Sequence, residues 1–205
     1  MATFDDFYDH VLPYLPGAEK PIVDFHIRRA VREFLKRTTV WREVFSFNTM
    51  IDEATYQLNP TQGAVGTVMN VSIDTRWARP LAENKRDPYR SAGKPDSWYS
   101  LLPSVITLFP KPNAEVPVLV EAAITVPLDS NDMFIPDNIM EEHAEAIAAG
   151  VISAMMLMPG KPWSQREAGA MYGRTFGSAI RETRGKLRDG GQPNQSTFRG
   201  PRFGV

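Results

Sequence analysis

The sequence predicts an α+β fold: a helical bundle assembled from helix pairs at the two ends of the chain, a β domain inserted between them, and an extended carboxy-terminal arm. Three observations lead there. Apolar residues near both ends recur at helical spacing, as in Val23, Ile27, Ala30, Val31 and Phe34. The middle of the chain changes to period-two alternation with branched residues, as in GTVMNVSID and VPVLVEAAITVP. The last stretch, DGGQPNQSTFRGPRFGV, has too few core-forming side chains to fold alone. The boundaries that follow are 1–40 for the first helices, 41–130 for the β domain, 131–190 for the closing helical hairpin and 191–205 for the arm.

Each element has a local reason. Thr3 is placed to cap a short helix that turns Phe4, Phe7, Tyr8 and Val11 to one side, and Pro13 and Pro16-Gly17 end it. A second helix is expected from about Lys20 to Arg37, apolar on one face and basic on another through Arg28, Arg29, Arg32 and Lys36. Strands follow in WREVFSFN, TYQLN and GTVMNVSID. Arg76 to Ser97, rich in Asn, Asp, Pro and Gly, has no sustained period and reads as a long surface excursion. WYSLL, SVITLFP and VPVLVEAAITVP supply further strands, with KPNAE as a turn.

The hairpin opens at Pro136-Asp137, with Asp137 as the capping residue, and its first helix stops at Pro159-Gly160. Ser164 and Glu167 match the capping box S-x-x-E, which predicts a second helix starting there and folding back. Gly169, Gly173 and Gly177 recur every four residues in that second helix, and Ala146, Gly150 and Ala154 do so in the first. A mid-helix glycine costs about 1 kcal/mol against alanine, so the spacing suggests two smooth ridges in close contact, within one subunit or between neighbours. The other reading is a frayed, partly exposed helix.

Composition narrows the function. With a formal net charge of -1, the chain as a whole is neither a polyanion nor a general nucleic-acid binder, so any charge-based role is local. It contains no cysteine, which excludes disulfides, thiolate metal sites and cysteine nucleophiles and fits a reducing compartment. MATFDDFYDH lacks the pattern of a signal peptide, and the longest apolar run, Ala146 to Met158, falls short of the about 20 residues a membrane span needs.

No catalytic, cofactor or metal motif is legible. His10, His26 and His143 show no ligand spacing, and Glu141, Glu142 and Glu145 lack the Glu-x-x-His pattern of metal-binding bundles. GAVG, GKPW and DGG are turns, and no serine lies in a G-x-S-x-G elbow. Two stretches invite binding. Arg28, Arg29, Arg32 and Lys36 offer cations to DNA phosphates or, alternatively, to acidic groups such as Glu141 and Glu145, and an aromatic interleaving suited to stacking on bases is not evident in HIRRAVREFLKR. In the tail, Phe198, Arg199, Pro201, Arg202 and Phe203 suit docking into a groove of another protein.

Taken together, the two-helix start, the β block, IPDNIMEEHAEAIAAGVISAMMLMPGKPW, AGAMYGRTFGSAIRETRGKL and the ending FRGPRFGV resemble the head-to-tail connector, or adaptor, proteins of tailed bacteriophages, especially the short-tailed ones. The likeness spans nearly the whole chain, with PD before a helix, the PGKPW corner and the arginine-aromatic end as its markers. It implies a virion structural protein without catalysis or cofactor. Such a protein is made in the host cytoplasm and placed at the head–tail junction as a homo-oligomeric ring, a dodecamer, that extends the DNA channel below the portal. The implied partners are the portal protein, tail (nozzle) or fibre proteins and, transiently, viral DNA; no membrane is involved. The arm, Gln192 to Val205 with Phe198, Arg199, Arg202 and Phe203 as anchors, would insert between portal subunits, and the β block would project towards the tail. Two alternatives stay open: another tail ring such as a tail terminator, or a DNA-binding module using the basic helix.

Overall fold

The computed structural model describes residue 3 and residues 5–82, 92–127 and 134–189. Phe4 of the first helix and the whole 191–205 arm, with Phe198, Arg199, Pro201, Arg202 and Phe203, therefore lie outside the described residues. Helices at both ends flank a central β region, as the α+β reading expects.

The first helix, α1 (Asp5–Val11), opens where the Asp6 carboxylate accepts from the Thr3 backbone N–H at 2.6 Å and from its hydroxyl at 3.1 Å. That is the reciprocal half of a capping box. A 3-10 turn over Leu12–Tyr14 leads to α2 (Lys20–Thr38), which has Pro21 in its first turn, where a missing N–H does no harm. It ends at Thr39, held in the left-handed region at φ 57, whose N–H bonds back to the Leu35 carbonyl.

Among the described residues ten strands follow: β1 (Arg42–Asn48), β2 (Thr55–Gln57), β3 (Ala64–Ile73), β4 (Arg76–Trp77), β5 (Arg79–Pro80), β6 (Ala92–Gly93), β7 (Ser97–Tyr99), β8 (Val105–Phe109), β9 (Lys111–Pro112) and β10 (Pro117–Thr125). They form one sheet in the order β1-β10-β3-β4, a second in the order β2-β8-β7-β5, and a small β6-β9 pair. The stretch expected to be a plain surface excursion thus contributes β4, β5 and β6. Those two-residue strands are too short for any periodicity to register, and pairing with β3, β7 and β9 fixes them.

The two four-stranded sheets face each other over a core that includes Val68, Val71, Val118, Val120, Leu58, Trp98, Ile106 and Leu108. β10 alternates out and in as far as Glu121 and is then buried continuously from Ala122 to Thr125, where its second face is also covered and α2 packs against it. Gly63 (φ 75) shows why the entry to β3 needs a glycine: a Cβ there would sit 2.8 Å from Ile124 and from the Thr125 carbonyl. On the outer face, Glu121 bonds Asn70 at 2.7 Å and Arg42 at 3.0 Å, tying three neighbouring strands together; the Asn70 bond foremost holds its carboxyl below the usual range.

The closing hairpin is α3 (Asp137–Met156) and α4 (Arg166–Arg188). The capping expectations shift here. Pro136, not Asp137, occupies the cap of α3, and Asp137 is its first helical residue. α4 is capped by Gln165 without a side-chain bond, so the Ser164/Glu167 capping box does not form. The Ser164 hydroxyl is used instead to close the corner, accepting from the Lys161 N–H at 3.0 Å and donating to the Met158 carbonyl.

α3 is the central helix. It is buried without a break from Ala146's neighbour Ile147 through Ser153, which only a helix enclosed on all sides requires. Around it α1, α2 and α4 complete a second core with Phe7, Val11, Ile27, Phe34, Phe176 and Ile180. Trp41, half-buried, packs against both cores and its carbonyl accepts from Ile124 N–H at 2.8 Å, so the helical and β parts meet at that residue.

Candidate functional site

The surfaces able to engage another molecule follow from how the helices pack. Because Val23, Ile27, Ala30, Val31, Phe34 and Leu35 turn inward, α2 presents its opposite side to solvent. Arg29 and Lys36 are exposed there, Arg32 is half-buried, and Phe25 stands on the same side, one or two turns away, 57% exposed. Among the described residues no ion pair involves Arg29, Arg32 or Lys36. Arg28 is half-buried beside them. Phe34, which lies between Arg32 and Lys36 in sequence, is buried and turned away from these cations. Phe25 was detectable by its spacing, four and seven residues before Arg29 and Arg32, although it precedes the basic run.

On α3, Glu141, Glu142 and Glu145 are exposed, and the His143 ring nitrogen Nε2 lies 4.0 Å from Glu142. His143 itself is buried against Phe34, with ring centres 4.9 Å apart. Burial, and to a lesser degree Lys186, lowers its pKa despite Glu142 nearby. His26 is buried as well. Burial and then the charge of Arg29 lower its pKa, and its Nδ1 has no hydrogen-bond partner. Among the described residues, no three His, Asp or Glu side chains are grouped to hold a metal ion.

The small residues divide by surroundings. A Cβ on Gly150 would lie 3.0 Å from the Phe176 ring, one on Gly169 3.1 Å from Leu157, and one on Gly173 2.9 Å from the Ser153 hydroxyl. Those three stand at the α3/α4 seam, where Ser153 Oγ also donates to the Gly169 carbonyl at 2.7 Å. Gly177 does not: a Cβ there meets only the Arg181 side chain, at 3.8 Å. Ala146 and Ala154 are half-buried. Ala154 and Gly150 floor a cleft of about 450 Å³ between α2 and α4, with His26, Arg29 and Glu33 on one wall and Phe176 on the other.

A second groove, of about 520 Å³, runs between β1 and β2, which are the edge strands of their sheets. Phe45, Phe47, Tyr56 and Leu58 line it, with Phe47 and Tyr56 stacked at 4.8 Å. Nothing in the sequence signals this seam, because it arises from which strands end up unpaired.

The described residues thus combine a helical body with a β part and present charged and apolar surfaces. The family comparison gives the class of protein. The chain belongs to the SU10 adaptor protein family, whose model matches residues 2–200, and it is accordingly a phage adaptor-type structural protein. No curated protein sequence matches it significantly. Among the described residues, no helix is long and apolar enough to cross a membrane.

Proposed function

We propose that this adaptor forms a homo-oligomeric, dodecameric ring beneath the portal at the head–tail junction of a short-tailed phage and extends the DNA channel towards the tail. The observation that supports the reading most is the adaptor family match over almost the entire chain, 2–200, which includes the arginine-aromatic segment around Phe198 and Arg199. In this reading the helical body, 1–40 with 131–190, makes the ring. The β domain, 41–130, meets nozzle or fibre proteins. The arm, 191–205, engages the portal through Phe198, Arg199, Pro201, Arg202 and Phe203, two guanidinium groups and two aromatic anchors in a short run. Repetition of that arm around a ring multiplies a modest affinity per copy. Exiting DNA touches the ring only in passage.

The test uses two chains, the full-length protein and one truncated after Gly190, each mixed with a purified portal ring and weighed by native mass spectrometry. Full-length protein should add to the ring as a defined number of copies. The truncated chain should keep its circular-dichroism spectrum and melting temperature yet fail to add. Equal addition by both chains refutes the arm as the portal contact. The open β1/β2 groove favours one alternative, a tail ring joined through the β domains, and that alternative predicts assembly of the truncated chain without any portal.

A further inference from the structure

Two charged stripes on the helical body are left unsatisfied within the chain. Arg29, Arg32 and Lys36 line the outer side of α2 with no carboxylate partner among the described residues, and Glu141 and Glu145 stand on α3 with no cationic one. They cannot meet inside one subunit. α2 packs on the side of α3 that bears His143, Gly150 and Ala154, whereas Glu141 and Glu145 lie roughly 160° around from His143 at about 100° per residue.

Their heights match. The 4.9 Å contact of the Phe34 and His143 rings puts the last turns of α2 level with the first turns of α3. Arg32 and Lys36 lie two residues either side of Phe34, and Glu141 and Glu145 two residues either side of His143. The cationic stripe and the acidic stripe therefore occupy opposite flanks of the body at one level.

We propose that the α2 stripe of one copy docks against the α3 stripe of the next, with Arg29, Arg32 and Lys36 facing Glu141 and Glu145 and with Phe25 as the apolar anchor. Deepening the ring reading above and resting on it, this interface is heterologous: each copy offers a different patch to each neighbour. Patches of opposite sign at equal height place successive copies with little rise, as a closed ring requires. A second copy fits the α2 stripe better than a nucleic acid does. The acidic stripe of Glu141 and Glu145 is opposite in sign to the basic one, and the exposed, mutually neutralising Glu33–Arg37 pair interrupts the positive surface beside the stripe. A formal net charge of -1 leaves little repulsion between copies.

The absence of cysteine makes the interface directly testable by cross-linking. The full chain carrying Lys36→Cys with Glu141→Cys is oxidised at high concentration. A second pair, Arg29→Cys with Glu145→Cys, guards against misfolding of the first, and circular dichroism verifies both. The proposal expects a ladder of disulfide-linked multimers from the paired variants and monomer from each single one. Adding Arg32→Glu to the second pair should cut the ladder about tenfold at low salt, as should raising the ionic strength without it. A folded pair of double variants that yields no ladder overturns the proposal, and so do dimers from Lys36→Cys alone, which mean a symmetric contact. Salt-sensitive duplex DNA binding lost in Arg29→Glu/Arg32→Glu, without any ladder, would reassign the stripe to nucleic acid. Portal addition by the unmodified chain is read separately: a ladder without portal addition sinks the portal reading alone, and portal addition without a ladder sinks this interface alone.

Discussion

Gly150 and Gly177 are the same residue in facing helices, yet their surroundings assign them opposite sensitivities. A side chain on Gly150 runs into the Phe176 ring, so Gly150→Leu should lower stability by about 2 kcal/mol through overpacking, measured by chemical denaturation. Gly177 faces open space apart from the mobile end of Arg181, so Gly177→Ala should raise the stability of the isolated subunit by up to about 1 kcal/mol through helix propensity. A loss there would mean that the position is packed in the free chain. The histidines set a pH dependence at the same scale. Both His26 and His143 have folded-state pKa values lowered chiefly by burial, so the unfolded chain binds more protons below about pH 6.5. Their contribution is complete above that pH and is lost as the pH falls towards the folded values. Denaturation midpoints should therefore drop between pH 7.5 and 5.5, and less so in a His26→Asn/His143→Gln variant.

Two links hold elements together in ways that sequence patterning conveys only in part. Periodicity gives α2 almost to the residue, Lys20 to Arg37 expected against Lys20–Thr38 observed, because an amphipathic helix on a core writes its burial directly into its spacing. Its stop is less legible, since a β-branched threonine at φ 57 is an unfavoured choice. Thr39→Gly should accordingly raise the melting temperature, by the equivalent of about 0.5–1 kcal/mol, as left-handed strain is relieved at a helix end. The hairpin depends on Ser153, whose buried hydroxyl bonds the Gly169 carbonyl; Ser153→Ala should cost about 1 kcal/mol in the same assay. The start of α4 misleads a reader of sequence alone, because Ser164 has two uses available and the nearby Met158 carbonyl takes its hydroxyl before the helix can.

At the scale of the whole molecule, the two cores meet at Trp41. Removing that ring in Trp41→Ala should cost about 3 kcal/mol and separate one cooperative unfolding transition into two, one helical and one β, by calorimetry. A single sharp transition in the variant would show that the α2 contact with β10 suffices to couple them. The α+β order, the helix pairs and the apolar centre of α3 were determined by the sequence itself, because each is a local pattern of burial repeated over many residues. Tertiary structure alone decided which strands became edges, which glycines met a neighbour, and that the basic and acidic stripes lie at one height on opposite flanks. Those properties depend on the relative placement of segments far apart in the chain, and no local period encodes such a placement.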